Sequence, residues 1–597
     1  MQNWFKTHFI WAIFLFAFVF RIFFGASINF KEEHTRYLQD YTQIYLIGLK
    51  TYANQAWPHW GPDISYTYSQ IPGALQGILT GGPFYIFKSP LAPFVLLGLL
   101  STLAFGFFAW YLSRRFPLIP KWFTYCWVLF APWTLIYSTT TINPSYVVSF
   151  SVLFFIGLTE ILPIYDNKII KPWVSWFLVG LAPALILQLH MSWVLLPVFA
   201  SIACFILLAQ KKFKVLFTGI LFALLGFGVG LSTLIPTIVK YGTTAMHGAG
   251  STVVFNPDNL FAIFGLFFRV LGFATFESRY FMGGPPEQVE FLKDFVWFSP
   301  FIIVLFIIGT LHTVFLIAYL FFKSERKEYN LVRWYMIGVI VLLYLSFLFA
   351  IRGIATLAFY ILVPVPLFYS FYAWEYLFKF KLARKLAPFF IACGVIYHAL
   401  LAIEMSEKCS VKLYWDKIDM ALQTKDTRYF SMRRVANWQR VSMKKDWEYT
   451  RTDSSQTYMF DYEVDNAIVR PDEFYTEQAY SGKYASRLDS LVLSCVGFDG
   501  EIHGYPKSDS VEVSFKMYVK DTGTSYLVAQ LWEIEDDSTD FNDTILLPNQ
   551  PVQQWFTQSY CWSLNETPAD FAIDFSVAVD TASTGKMYVD NFEVTFY

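Results

Sequence analysis

The stretch from Leu91 to Arg115, LAPFVLLGLLSTLAFGFFAWYLSRR, decides the class of fold. It carries no charge from Leu91 to Ser113 and then ends on two arginines. An apolar run of about 20 residues is long enough to cross the ~30 Å hydrocarbon core of a bilayer as an α-helix. Comparable runs recur through the first two-thirds of the chain. The sequence therefore predicts a polytopic α-helical membrane protein.

Composition and charge divide the chain into two parts. Of its 597 residues, 55% are hydrophobic and 15% are charged, whereas a soluble domain has about 25% charged residues. Residues 452–597 contain 25 acidic and 7 basic residues, and the preceding residues contain 21 acidic and 38 basic ones. A basic membrane part is thus joined to an acidic C-terminal part, and we expect no nucleic-acid partner.

Eleven membrane spans are predicted, near residues 8–27, 90–113, 119–138, 145–163, 172–189, 192–209, 214–237, 297–322, 332–351, 354–378 and 386–405. Basic residues occupy alternate turns and identify the cytoplasmic side: Arg114, Arg115, Lys121, Lys168, Lys171, Lys211, Lys212, Lys214, Lys323, Arg326, Lys327, Lys379, Lys381, Arg384 and Lys385. The loops 28–89 and 238–296 and the C-terminal part then lie outside, although Lys408, Lys412, Lys417 and Lys425 follow the last span on that outer side. This orientation suits a bacterial inner membrane protein with an active site facing the periplasm.

Periodicity changes from residue 452 onward. VEVSFKMYVK, SYLVAQLWEIE, DFAIDFSVAVD and KMYVDNFEVTFY alternate apolar and polar residues, with turn residues between them. This pattern predicts antiparallel strands in an all-β sandwich. We predict a membrane domain at 1–405, a basic connector at 406–451 and an outer sandwich at 452–597.

The cysteines indicate no metal centre. No Cys or His cluster has metal-ligand spacing, so no cofactor is predicted, and dependence on a divalent metal stays open. Cys495 and Cys561 can pair only if the C-terminal part is extracytoplasmic.

The first outer loop contains QDYTQIYLIGLKTYANQAWPHWGPD, residues 39–63. Apolar residues lie on one face of a predicted amphipathic helix that starts near Asp40 and rests at the membrane interface. A carboxylate in this first turn could accept a proton from an acceptor hydroxyl. On the residues alone, the simpler interpretation is a solvated aspartate at a helix start, favoured by the helix dipole.

A resemblance adds to this interpretation. LQDYTQIYLIGLKTYANQAWPHWGPD (38–63), IPGALQGILTGGPFYIF (71–87), YSTTTINPSYV (137–147) and LAPALILQLHMSW (181–193) resemble membrane glycosyltransferases of the GT-C class. More narrowly, they are similar to the protein-mannosyltransferase and aminoarabinose-transferase superfamily (family 39-like), across residues 30–200 and more weakly 330–380. The resemblance implies transfer of a sugar from a polyprenyl-phosphate donor to a protein, lipid or glycan hydroxyl at the outer face, with inversion.

The same resemblance implies roles for individual residues. Asp40 matches the family's acidic position and would act as base, with Glu33 second. A further family pair falls on Gln43 and Ile44 here, so nothing is carried over for it. The donor phosphate would be met by Arg352 or Arg279, each of which could instead be an interfacial anchor. The substrate contacts implied are Asn143, His190 and Tyr360, the last within ATLAFYILVPVP (355–366).

Two alternatives stay open at this stage. The first is a transporter or flippase of a lipid-linked or sugar substrate: the centres of the spans are nearly free of the ionisable residues that coupled transporters use, but a flippase can work without them. The second concerns the C-terminal sandwich, which resembles jelly-roll carbohydrate-binding modules. Its candidate sugar-stacking residues, Trp532, Trp555, Trp562 and Tyr560, would otherwise fill the core of a plain folded domain. We expect this domain to be accessory to the chemistry.

Overall fold

The computed structural model describes residues 2–28, 35–55, 57–63, 70–142, 144–242, 255–277, 285–322, 324, 326–350, 356–407, 411–427, 448–452, 455–462, 474–475, 478–489, 494–495, 497–502, 509–533, 539–548, 552–564, 571–580 and 585–597. The chain forms two compact units. The first, the helical unit, comprises Met1–Ile44 and Ile71–Lys412. The second comprises Tyr45–Gln70 and Leu413–Tyr597 and contains the β-sandwich.

Helices account for most of the described chain before residue 425. They are α1 (Gln2–Ile28), α2 (Thr35–Asn54), α3 (Leu75–Gly81), α4 (Ala92–Arg115), α5 (Lys121–Phe130), α6 (Pro132–Leu135), α7 (Ser145–Ile161), α8 (Pro172–Leu187), α9 (Leu195–Ala209), α10 (Phe213–Leu231), α11 (Ile235–Tyr241), α12 (Ile263–Gly272), α13 (Pro285–Asp294), α14 (Ser299–Tyr319), α15 (Tyr329–Leu348), α16 (Pro364–Leu377), α17 (Lys381–Glu407) and α18 (Val411–Thr424). Short 3₁₀ helices cover Gly82–Tyr85, Met191–Val194, Pro257–Ala262 and Thr356–Leu362.

Seven helices within the described residues are long and apolar enough to cross a membrane. They are Phe9–Ser27, Ala92–Arg115, Met191–Ala209, Phe213–Leu231, Ser299–Tyr319, Tyr329–Leu348 and Lys381–Glu404. Each coincides with a predicted span. The prediction of a polytopic helical membrane protein is therefore confirmed at this level, but the count of eleven spans is not.

The four other predicted spans correspond to shorter helices. Span 119–138 is divided into α5 and α6, because Pro132 has no N–H with which to continue the helix. Span 354–378 is described as the 3₁₀ helix Thr356–Leu362 followed by α16. α7 and α8 have 17 and 16 residues. Hydropathy alone did not register these breaks, since the side chains remain apolar across them.

Helices α8 and α10 pack through glycines. A Cβ on Gly226 would overlap the carbonyl oxygen of Phe177, and one on Gly180 would overlap the carbonyl oxygen of Ala223. Most other α10 side chains are exposed on the unit's apolar surface. Small residues allow two helix backbones to approach closely where a bilayer supplies no hydrophobic driving force between them.

Two arginine networks close the helix ends that the basic-turn pattern predicts to be cytoplasmic. The guanidinium of Arg115 donates to the Glu160 carboxylate, and both side chains are less than 10% exposed. Arg326 donates to Glu375 at 2.8 Å, to Glu328 at 2.8 Å and to the Arg115 carbonyl oxygen at 2.9 Å. Each guanidinium thus has anionic and carbonyl acceptors, as a buried ion pair requires.

Helix α2 is the helix predicted in the first outer loop. It runs from Thr35 to Asn54, so it begins before Asp40 and places this residue beyond its first turn. Tyr41, Gln43 and residues 44–49 are buried. The position of this helix at the membrane interface stays a prediction.

The C-terminal strands follow the alternation in the sequence. They are β3 (Glu448–Arg451), β4 (Gln456–Phe460), β5 (Phe474–Tyr475), β6 (Ala485–Leu488), β7 (Phe498–Ile502), β8 (Ser510–Val519), β9 (Ser525–Glu533), β10 (Thr539–Leu546), β11 (Val552–Ser563), β12 (Phe571–Val579) and β13 (Met587–Phe596), after β1 (Trp60–Asp63) and β2 (Gln70–Pro72) in the first loop. Strand β8 is buried at every second residue, as a strand with one face on a core must be.

Two antiparallel sheets share one hydrophobic core. One has the strand order β10-β9-β12-β7, and the other has β11-β8-β13-β4-β3 with β6 and β5 beside β13. Phe515 and Val513 of one sheet and Leu527 and Phe575 of the other belong to the same core cluster. The predicted all-β C-terminal region is confirmed. Cys495 lies buried in this core and Cys561 is exposed, and they are not bonded to each other.

The glycine contact between α8 and α10 generates a prediction about stability. Gly226→Val should lower the unfolding free energy by about 1–3 kcal/mol, because the added atoms meet backbone that cannot move aside. The matched control is Gly228→Val, two residues away on the same helix, where an added Cβ meets nothing within 4 Å. Thermal unfolding of both variants in detergent measures the difference. Equal melting temperatures would contradict the contact.

Asp590 generates a prediction about pH. Burial raises the pKa of this carboxyl to about 6, although it accepts backbone N–H groups of Tyr480, Ser481 and Asn591. The unfolded chain has a pKa of about 3.9, so the folded domain takes up a proton as pH falls from about 6 to about 4. This group therefore adds stability on acidification and loses that contribution as pH rises through about 6.

Hydrogen exchange of a peptide covering β13, corrected for the intrinsic rate, measures this effect. Protection relative to Asp590→Asn should increase between pH 7 and pH 4.5, whereas the exposed control Asp521→Asn should follow the wild type. A constant difference between the wild type and Asp590→Asn across that range would refute it.

Candidate active site

The candidate site forms around the break between α5 and α6. Helix α5 ends at Phe130, and Ala131 adopts an extended conformation (φ −62°, ψ 143°) before Pro132 starts the four-residue α6. Because α6 has only four residues, its carbonyl oxygens lack the donors that a longer helix would supply, and they must find others where no water is present. Two donors are side chains from distant parts of the helical unit, and a third is the nearby Ser138 hydroxyl, which donates to the Thr134 carbonyl at 2.5 Å.

Two successive carbonyl oxygens of α6 accept these donors. The Tyr360 hydroxyl donates to the Trp133 carbonyl at 2.8 Å. The guanidinium of Arg21 donates through Nη2 to the Thr134 carbonyl at the longer distance of 3.4 Å. The break therefore brings Tyr360, which the sequence indicated, next to Arg21, which it did not.

Arg21 is the most unusual side chain of the site. It lies within the candidate span Phe9–Ser27 and is 1% exposed. Its Nε and Nη1 atoms have no hydrogen-bond partner among the described residues, and its guanidinium lies 5.6 Å from the centre of the Phe105 ring. A guanidinium has five N–H donors, and a buried cation without a partner is costly. The arrangement suits an anion that accepts two of those donors.

Trp133 connects this arginine to a second charged pair. Its indole is fully buried and donates to the Glu277 carbonyl oxygen at 3.1 Å. Arg269 lies 5.4 Å from the centre of the same ring and pairs with the Glu277 carboxylate at 3.2 Å. Glu277 balances Arg269, and among the described residues no carboxylate is paired with Arg21.

Arg269 lies within the apolar stretch 258–276 of the second predicted outer loop. The structure gives this stretch a 3₁₀ turn followed by α12, with Leu266, Val270 and Leu271 buried. The ion pair with Glu277 explains how a charged residue is accommodated there.

Two of the quoted motifs carry buried polar atoms. Gln76 Oε1 in the motif 71–87 and Thr141 and Ser145 Oγ atoms in the motif 137–147 have no partner among the described residues. Gly73 adopts φ +118°, and a Cβ there would come within 2.6 Å of the Gln188 side chain in the motif 181–193. The motif 71–87 therefore approaches the motif 181–193, and the motifs 71–87 and 137–147 each carry buried polar atoms that have no hydrogen-bond partner among the described residues.

His190 lies near the end of the motif 181–193. Its Nδ1 accepts the backbone N–H of Ser192 at 3.1 Å and so caps the following 3₁₀ helix. Burial lowers the pKa of the imidazole to about 4, so the ring is neutral near pH 7. The described hydrogen bonds of His190, which join Nδ1 to the backbone N–H and to the hydroxyl of Ser192, are those of a helix cap.

The remaining predicted site residues are less fully described. Asp40 lies in α2, and its side chain is outside the described part of the chain; the next residue, Tyr41, packs on Phe94 at a ring distance of 6.5 Å. Four further predicted residues lie outside the described residues: Glu33, Asn143, Arg279 and Arg352.

Sequence reasoning missed Arg21, Trp133 and Glu277. A signal for Arg21 was present, since a single arginine interrupts the apolar run FAFVFRIFFG (16–25) and ionisable residues inside spans are functional candidates. Trp133 and Glu277 had no such signal. Their importance depends on contacts between residues 144 positions apart.

The aromatic residues of the sandwich divide into two groups. Tyr560 and Trp562 pack on the core, and the Trp562 indole donates to Asp543 at 2.9 Å and stacks on Phe575. Trp555 is half-buried beside Tyr480, which is 47% exposed. Tyr560 and Trp562 are thus structural, and the side chain of Trp532 on β9 is outside the described part.

Neither a family model nor a curated protein matches this chain. Among solved structures, similarity extends to "Family 16 Carbohydrate Binding Module-2" (16% identity, 20% of this chain, 82% of that chain, TM-score 0.16). It extends also to the CBM22-1 xylan-binding domain of Paenibacillus barcinonensis Xyn10C (12%, 25%, 85%, 0.14) and to "CBM4 structure and function" (13%, 25%, 76%, 0.13). TM-scores this low assign no function to this chain.

Proposed function

We propose that this chain is an integral-membrane glycosyltransferase that transfers a sugar from a polyprenyl-phosphate donor to a hydroxyl acceptor at the outer face of the membrane. The observation that carries the proposal is the buried guanidinium of Arg21, two of whose nitrogen atoms have no hydrogen-bond partner in the part of the chain that the structure describes. The supporting resemblance lies in the four sequence motifs.

A phosphate suits Arg21 for two reasons. It offers several oxygens to a planar fork of N–H donors, so one group can satisfy both Nε and Nη1. It also brings negative charge to a cluster whose other arginine is already balanced by Glu277. A neutral sugar or a cation would leave the charge of Arg21 uncompensated.

The depth of Arg21 in its helix agrees with a lipid headgroup. Arg21 precedes Ser27, the end of the candidate span, by six residues, or about 9 Å along an α-helix. The basic-turn pattern predicts this end to be the outer one. A lipid phosphate drawn a short way below the interface would reach that level.

The reaction is a displacement at the anomeric carbon. The acceptor hydroxyl oxygen forms the new bond to that carbon, the bond from the carbon to the phosphate oxygen breaks, and polyprenyl phosphate leaves with the electron pair. Asp40 takes the acceptor proton, with Glu33 as the competing base. Arg21 stabilises the charge that develops on the departing phosphate. Among the described residues no group of three metal ligands occurs, and no step is assigned to a metal.

Sugar hydroxyls would be received by the polar motifs. Gln76, Thr141 and Ser145 are buried and carry oxygens without partners in the described part of the chain. Hydroxyl groups can both donate and accept, so a sugar is a suitable complement. His190, Asn143 and Tyr360 remain the contacts implied by the resemblance, and Arg279 and Arg352 remain further phosphate candidates.

Transfer of labelled sugar by the purified protein in detergent tests the proposal against a transporter or flippase. A panel of polyprenyl-phosphate sugars is incubated with peptide, lipid and glycan acceptors, and products are identified by mass spectrometry. An enzyme forms a glycosidic product without a sealed membrane. Flipping in vesicles without any product in detergent would favour the transporter instead.

Arg21→Gln should weaken donor binding by about ten- to a hundredfold, since a hydrogen bond to a charged group contributes about 1.5–3 kcal/mol. Acceptor binding should change little. The matched control is Arg114→Gln in the last turn of α4, an exposed arginine that lies 5.7 Å from the Trp110 ring centre. Separate titrations of donor and acceptor measure the two constants. Unchanged donor affinity in a folded Arg21→Gln protein would remove Arg21 from the phosphate site.

Asp40→Asn should lower turnover by about 10²–10⁴-fold while donor binding is retained, because the loss of a general base affects the chemical step. Glu33→Gln in parallel separates the two carboxylates. If Asp40→Asn turns over normally and Glu33→Gln does not, the base is Glu33 and the assignment to Asp40 is wrong. Single-turnover rates with saturating donor provide the measurement.

A further inference from the structure

A cavity of about 290 Å³ lies among α5, α14, α16 and α17 of the helical unit. Its walls are mainly apolar and aromatic, and include Trp127, Phe276, His312, Phe315, Trp374 and Ala387. None of these residues belongs to the motifs on which the proposed transferase rests. The cavity is therefore separate from the proposed transferase site, and its ligand must be inferred from its own lining.

The size of the cavity suits a hydrocarbon chain. An engineered apolar cavity of about 150 Å³ stays free of water and binds benzene. The present cavity has about twice that volume, and aromatic rings form much of its wall. Water would find few polar partners there, so the favourable occupant is apolar.

The cavity opens toward the surface that faces lipid. Leu311 and Leu386 line it and are 60% and 38% exposed, and both lie on candidate spans. A ligand that enters between α14 and α17 therefore comes from the bilayer. This excludes a water-soluble metabolite as the natural occupant.

The depth of the cavity separates it from the Arg21 cluster. His312 follows Ser299, the start of α14, by 13 residues, or about 20 Å along the helix. That start is predicted to be the outer end, so His312 belongs to the inner half of the membrane. Arg21 lies about 9 Å from the outer end of its own span.

One polar feature interrupts the apolar wall. The imidazole of His312 is packed against the indoles of Trp374 and Trp127, with ring centres 4.7 and 5.9 Å away. His312 Nε2 and the Nε1 atoms of both tryptophans are buried without a hydrogen-bond partner among the described residues. Buried polar groups whose hydrogen bonds are unmade destabilise the fold. An oxygen atom on the ligand, with a small shift of these rings, would relieve part of that destabilisation.

We propose that this cavity binds the hydrocarbon chain of a membrane lipid, with an oxygen atom of that lipid hydrogen-bonded at His312. Two kinds of lipid combine a hydrocarbon chain with such an oxygen atom: an acyl chain with its ester carbonyl, and an isoprenoid alcohol. The site is distinct from the donor phosphate site and does not depend on the proposed transferase activity.

Photocrosslinking to the purified full-length protein in nanodiscs tests this site. One arm uses a diacyl phospholipid with a diazirine in one acyl chain, and the other uses a polyprenyl alcohol with a diazirine in the isoprenoid chain. We expect labelled peptides from α14 and α17 that contain cavity-lining residues. The arm that labels identifies the source of the chain. Labelling spread evenly over all spans would overturn the proposal, even without any variant.

Two substitutions on α17 give a matched comparison. Ala387 lines the cavity and is 6% exposed, whereas Ala392 is exposed on the same helix and does not line it. Ala387→Phe fills the cavity and should reduce labelling about tenfold or more, equivalent to at least ~1.4 kcal/mol. Ala392→Phe should change labelling less than about twofold. Equal labelling of the two variants would overturn the proposal.

His312→Phe tests the hydrogen-bonding oxygen. It keeps an aromatic ring between the indoles and removes the nitrogen atoms, so labelling should fall about two- to tenfold. Unchanged labelling in a variant with wild-type melting temperature would overturn the assignment of an oxygen at His312. If Ala387→Phe fails to fold, the position of the label in the wild type together with His312→Phe decides the outcome.

Discussion

The short helix α6, Pro132–Leu135, is the constraint on which the helical unit's polar interior depends. Inside a bilayer every backbone carbonyl needs a donor, and a helix of four residues supplies none for its own carbonyls. The Trp133 carbonyl accepts the Tyr360 hydroxyl, and the Thr134 carbonyl accepts the Ser138 hydroxyl and the Arg21 guanidinium. The same short helix orients the Trp133 indole toward Glu277. One interrupted helix thus determines which side chains from four separate segments meet.

The arginines of the helical unit show two ways of burying a cation. Arg115 and Arg326 have carboxylates and carbonyl oxygens as acceptors, and their networks join α4, α7 and α16. Arg21 is more deeply buried, yet it has a single long hydrogen bond and two unpartnered nitrogens among the described residues. The networks of Arg115 and Arg326 need no ligand, because their acceptors within the protein already stabilise the buried charges. The incomplete one is better explained by a ligand, because removing solvent from a guanidinium without compensation is costly.

Local patterns predicted the elements well, and long-range contacts limited the rest. Alternation gave β8, β9, β12 and β13 close to their observed bounds, and hydropathy located seven long helices. Hydropathy could not reveal that α5 stops at Phe130, since apolar side chains continue past the break. Amphipathicity predicted the helix α2 but not its start at Thr35, because a periodic apolar face locates a helix and leaves its ends undefined.

The candidate site shows the same division at the level of single residues. Tyr360 was reached through a resemblance in sequence, but its hydrogen bond joins residues 227 positions apart. Arg21 is visible in the sequence as the one charge within an apolar run. What distinguishes it from an anchoring arginine is that two of its nitrogen atoms have no hydrogen-bond partner among the described residues. Arg269, equally conspicuous in the sequence, proves to be balanced by Glu277. For charges inside spans, the number of hydrogen-bond acceptors in the fold is therefore a better guide to function than their position in the sequence.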